Sequence, residues 1–103
     1  MSKVYLHATL KLRIGGYEPF CAAMGKQVEA LESFGWKLVG AWVTLIGRVY
    51  TVVDIWELPD ANAYFDATAK WRQTAVFKEF RAVTEQVLDE EIVTMVVKAP
   101  YSP

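Results

Sequence analysis

An α+β fold is predicted for this chain: one four-stranded antiparallel sheet with its helices on a single face. Three observations predict it. Four runs are alternating or β-branched in the manner of strands. Two stretches between them place apolar residues at helical spacing. Gly or Pro punctuates most of the junctions. The length of 103 residues fits one domain, 1–103, with no internal repeat or linker.

Val4, Leu6, Ala8, Leu10 and Leu12 alternate with Tyr5, His7, Thr9, Lys11 and Arg13, a half-buried first strand. Gly15-Gly16 stops it, and Pro19 suits the first turn of a helix over 18–34. On that helix Phe20, Met24, Val28 and Leu31 form the apolar stripe. Lys26, Gln27, Glu29 and Glu32 take the polar positions, and Gly35 is the C-terminal cap. Strands over 36–46 and 49–57 follow, joined at Gly47-Arg48 as a hairpin. Asp60 caps a helical region over 61–88, which lacks Gly and Pro. That region is weak at 70–74, so two helical pieces are expected. A last strand covers 92–98, and 99–103 is a tail.

The order β-α-β-β-α-β is the split βαβ pattern of ferredoxin-like folds. Right-handed crossovers give the sheet order 4-1-3-2 and leave one sheet face uncovered. Hydrophobic residues make up 53% of the chain and aromatic ones 14%, with four Trp. A domain this small buries only about two-thirds of its unfolded surface. The surplus predicts a homodimer in which two sheets meet face to face as a barrel, with an apolar pocket in each subunit.

Composition excludes several classes. The net charge is −1 and no basic run exists, so nucleic acid is not an expected partner. One Cys and one His supply neither a disulfide nor a Cys/His zinc site. Gly15-Gly16 lacks the lysine and spacing of a phosphate loop, and no Ser stands in a nucleophile-elbow context. Metal, nucleotide and haem are therefore not expected, and no cofactor is. The start, Met1 to His7, has no leader pattern, and no apolar run is long enough to span a membrane. The expected location is cytoplasmic.

Lys37-Leu38-Val39-Gly40-Ala41-Trp42-Val43-Thr44-Leu45-Ile46-Gly47, then Val52-Val53-Asp54-Ile55-Trp56-Glu57, resembles the NIPSNAP family, as does Phe77-Lys78-Glu79-Phe80. The resemblance runs over most of the chain. It implies membership of the dimeric α/β-barrel superfamily, which also holds the antibiotic-biosynthesis monooxygenases. The family usually has His where Asp54 stands, and often an acidic residue near His7, so acid and imidazole are exchanged between strands here. Phe77 stands where the family often has Trp.

His7 is the only imidazole, and Asp54 interrupts the apolar run Val52-Val53-Asp54-Ile55-Trp56. Strands one and three are neighbours in this topology. A carboxylate on one can orient an imidazole on the other and make it a general base. The plainer reading is a satisfied histidine and an ordinary polar position. Tyr5, Trp42, Tyr50, Trp56, Tyr64 and Trp71 are candidates to line a pocket for a flat apolar ligand, against ordinary core and interface packing. Arg72, with Lys70, can meet an anionic group at its mouth, or simply face solvent. Cys21 reads as a buried, inert thiol.

The function expected is that of a small cofactor-independent enzyme acting on an apolar, aromatic or polyketide-like carbonyl compound. His7 and Asp54 would move a proton, and Tyr5 or Tyr50 would bind the oxyanion. Isomerisation, cyclisation and cofactor-free oxygenation stay open. The alternative is a non-catalytic ligand-binding or interaction module. The discriminating feature is whether His7 and Asp54 share one cavity.

Overall fold

The computed structural model describes residues 3–103. Met1 and Ser2, which open the segment read as leaderless, lie outside the described residues. The elements are β1 (Val4–Leu12), α1 (Tyr17–Ser33), β2 (Lys37–Val43), β3 (Thr51–Leu58), α2 (Asn62–Trp71), α3 (Ala75–Val87) and β4 (Leu88–Val96). The sheet runs β2-β3-β1-β4 with every pair antiparallel, which is the predicted ferredoxin-like order. Among the described residues no helix is long and apolar enough to cross a membrane.

The helices lie on one face of the sheet. Leu6, Leu10 and Leu12 of β1 and Val52, Trp56 and Leu58 of β3 are buried there against Phe20 and Leu31 of α1. α1 stops in a Schellman arrangement. The Gly35 N–H donates to the Glu32 carbonyl at 3.1 Å and the Trp36 N–H to the Leu31 carbonyl at 3.2 Å. Gly35 sits at φ +102°, which an L side chain resists. The helical region breaks where expected. The first piece ends at Trp71, and Thr74 caps the second, its hydroxyl accepting from the Phe77 N–H at 3.1 Å. The Asp60 carboxylate likewise accepts from the Ala63 N–H at 3.0 Å at the start of α2.

Four local expectations need correction. β2 ends at Val43, not Ile46: Leu45 and Ile46 are 85% and 94% exposed in the β2–β3 loop, with no strand beside them. β4 starts at Leu88, four residues early, because α3 passes into the strand without a loop and the acidic Asp89-Glu90-Glu91 joins the sheet. Gln27 is fully buried rather than solvated, held between the helices. Cys21 is exposed on α1 beside Tyr17.

Candidate functional site

β1 carries Leu6, Ala8 and Leu10 toward the helices, and Ala8 is the small member of that row. The space it leaves lies under α2 and α3 and forms a cavity of about 390 Å³. Asp54 stands directly across from Ala8 on β3, and Val93 across from it on β4. The cavity wall is aromatic. Trp36 meets Trp56 edge-on at 5.5 Å and stacks on Tyr64 at 6.0 Å. Trp71 packs on Phe77 at 4.7 Å and on Phe80 at 5.6 Å. Arg72, Arg81, Glu85 and Glu91 bring charge to the cavity.

Two indole donors of this wall are already used. Trp36 donates to the Ala63 carbonyl at 3.0 Å, and Trp71 to the Gln27 side-chain carbonyl at 2.7 Å. Gln27 in turn donates to the Ala23 and Val76 carbonyls at 3.0 and 3.1 Å, tying α1 to both later helices. The Thr68 hydroxyl donates to the Tyr64 carbonyl at 2.7 Å. These bonds fix the rings and turn their apolar surfaces to the cavity.

Asp54 is the exception in this wall. It is 3% exposed, and burial alone pushes its carboxyl up to about 6. Among the described residues no cation or donor offsets the burial, so the charged form is disfavoured. At the rim, burial also raises the Glu91 carboxyl, and the Arg72 guanidinium opposes that rise. Arg81 is held by Glu85 at 3.2 Å, whereas Arg72 makes no direct ion pair among the described residues.

His7 does not reach this cavity. Its partners across the sheet are Ile55 and Thr94, so it points from the uncovered face, while Asp54, opposite Ala8, points to the helices. The expected His7–Asp54 pair is therefore not formed, although the strands are neighbours. Of the other expected site residues, Trp56, Tyr64, Trp71 and Arg72 line the cavity. Tyr5 opposes Glu57 and Val96 on the uncovered face, under Lys98. Trp42 lies there too, opposite Val53, and folds over Gly40, where a Cβ would collide with its ring. A bulge at Val39 shifts the register, so Leu38 faces the helices while Gly40 and Trp42 do not. Tyr50 is in the β2–β3 loop at φ +60°, near Lys11. Lys70 does not line the cavity, whereas Trp36, Phe77, Phe80, Glu85 and Glu91 do.

A family model described as NIPSNAP matches residues 5–103. The chain belongs to the NIPSNAP family. The structure of Atu4242 from Agrobacterium tumefaciens, a NIPSNAP family protein of unknown function, superposes with TM-score 0.85 at 19% identity over 97% of each chain. An uncharacterized NIPSNAP domain protein from Burkholderia xenovorans gives 0.82 at 16% identity, covering 97% of this chain and 98% of its own. A protein of Bacteroides thetaiotaomicron, provisionally assigned as an antibiotic biosynthesis monooxygenase, gives 0.67 at 14% identity over 99% and 92%. At such identities the likeness carries the NIPSNAP fold alone. No curated protein matches the sequence.

Proposed function

We propose that the protein is a cofactor-independent enzyme that binds a flat, apolar carbonyl compound in the cavity and moves a proton beside the carbonyl, with Asp54 as the proton-transfer group. The observation that carries this reading is the carboxyl of Asp54, unpaired, buried in an aromatic wall and pushed up to about 6 by that burial. A general base works best with a pKa close to the operating pH. A carboxylate kept dry is also a stronger base than one in water. Asp54 acts without His7, whose place on the other sheet face removes it from the site. Tyr64, on the cavity wall, replaces Tyr5 and Tyr50 as the phenol available to the ligand. The protein is proposed to work in the cytoplasm as a homodimer, the sheet face opposite the cavity being the one left for a second copy.

One observation favours the non-catalytic alternative. The predicted acid–imidazole pair is absent, so a ligand-binding module needs only the aromatic wall that is present. Deuterium uptake from D2O into the carbon between the carbonyl and the ring of 2-tetralone, followed by proton NMR, separates the two. The wild-type protein should accelerate uptake over buffer, and Asp54→Asn should lose about a hundred- to ten-thousand-fold. Quenching of Trp36, Trp56 and Trp71 fluorescence by the ketone should survive the substitution. Quenching without any accelerated uptake would leave only the binding module.

A further inference from the structure

Charge must arrive somewhere when Asp54 takes a proton from carbon. The neutral carboxyl left behind suits its dry position, while the negative charge moves onto the ligand's oxygen atoms. Among the described residues the cavity offers one cation without a direct ion-pair partner, Arg72, immediately after Trp71 at the end of α2. Arg81 is engaged by Glu85 at 3.2 Å. Glu91 on β4 lies close enough to Arg72 to sense its charge.

From this arrangement we infer that the cavity is built for a 1,3-dicarbonyl compound carried on an aromatic or similarly flat body, with Arg72 binding the planar enolate. The inference rests on Asp54 acting as the base. In the step proposed, the C–H bond between the two carbonyls breaks and its proton goes to an Asp54 carboxylate oxygen. The electron pair delocalises over both carbonyl oxygens, and no oxidant or co-reactant is consumed. The resulting anion is planar, with two oxygens side by side. A guanidinium meets that geometry with two parallel N–H donors, whereas a single ketone offers it one acceptor. A carboxylate has the same fork but is charged before it enters, so it would sit beside an ionised Asp54 and Glu91 with only Arg72 to offset them. The dicarbonyl becomes charged only as Asp54 becomes neutral.

The groups facing the ligand are Asp54 from β3, Glu91 from β4, Tyr64 from α2, Arg72 after it, and Arg81 with Glu85 from α3. Arg72 is therefore a substrate-binding residue whose effect should be specific to the dicarbonyl. The test uses benzoylacetone, with butyrophenone as the monoketone and 3-phenylpropionate as the carboxylate. Wild-type protein should lower the apparent pKa of benzoylacetone, read from its enolate absorbance, by about one to two units. It should bind benzoylacetone roughly tenfold or more tightly than either comparison compound. Arg72→Gln should remove both effects and lower butyrophenone affinity by far less than benzoylacetone affinity, with partial recovery in Arg72→Lys. Equal affinity for all three compounds, an unshifted enolate band, or an Arg72→Gln protein that keeps the shift overturns the inference. Tighter binding of 3-phenylpropionate than of benzoylacetone overturns it too, in favour of a carboxylate ligand. Failure of Asp54 is read separately: Asp54→Asn would then leave 2-tetralone exchange intact, whatever Arg72 does.

Discussion

Asp54 shows at the scale of one residue how a site can cost stability. Its unfolded value is near 3.8 and its folded value about 6, so the native state holds a proton that the unfolded state has already released. Below pH 4 both states are protonated and burial carries no charge penalty. Between about pH 3.8 and 6 the unfolded state gives up this proton while the folded state keeps it, so stability falls across that window and levels off above 6, where the folded carboxyl also ionises at the cost of its burial. A shift of about two units corresponds to roughly 3 kcal/mol. Asp54→Asn should therefore stabilise the protein by up to about 3 kcal/mol in urea unfolding at pH 7.5, with little change at pH 4. An equal effect at both pH values would mean that the charge is not what the fold resists. The catalytic counterpart has the opposite sign. The rate of 2-tetralone exchange should rise with pH through about 6 and then level off, as the base form of Asp54 fills.

Among the elements, the helix layer matters most, because it roofs the cavity. α3 has no fully buried side chain, since Phe77 and Phe80 rest over open space. What ties it down is Gln27 of α1, which accepts from Trp71 and donates to the Val76 carbonyl. Gln27→Leu would leave the Trp71 indole N–H without its partner, at about 1–3 kcal/mol, and would cut the tie to the Val76 carbonyl. The melting temperature should drop by roughly 4–8 °C for each kcal/mol lost. Affinity for flat ketones should fall with it as Trp71 loosens, whereas a merely solvated Gln27 would change neither. Periodicity could not find this residue. On α1 a polar side chain in a run with Lys26 and Glu29 looks solvated, and only the packing of a second helix reveals otherwise. The same limit explains the misplaced His7–Asp54 pair. Alternation in β1 separates an apolar row from a polar one, so its faces were legible. In β3 both rows are apolar, Val52 and Trp56 against the helices and Val53 and Ile55 on the uncovered side, so the face of Asp54 was set only by register with Ala8. Glu91 went unseen because its acidic neighbours hid the first half of β4. Element order, sheet order and the helix break were legible, since Gly35, Thr74 and β-branched runs act locally.

For the whole molecule, the two faces of the sheet divide the work. One face supports the cavity. On the other, Trp42, Ile92 and Val96 are 55%, 52% and 44% exposed, with Val53, Ile55, Tyr5 and His7 among them. An apolar sheet face of this kind in water favours association. A second copy turned by a two-fold axis offers the same surface back, which is the commonest symmetry of small assemblies. Light scattering at micromolar concentration should give about twice the chain mass of 11.7 kDa. Ile92→Glu places a charge on that face, on the edge strand β4 opposite Thr9 of β1, and should return the particle to monomer mass. Because the cavity opens on the other side, the monomeric variant should still quench its tryptophans with flat ketones, at an affinity lowered only by whatever stability the dimer supplied. A variant that stays dimeric would move the interface elsewhere, most simply to the exposed Leu45 and Ile46 of the β2–β3 loop. A variant that becomes monomeric and loses ligand would instead mean that the partner copy shapes the cavity through the sheet, by fixing the twist that sets Ala8 between Asp54 and Val93.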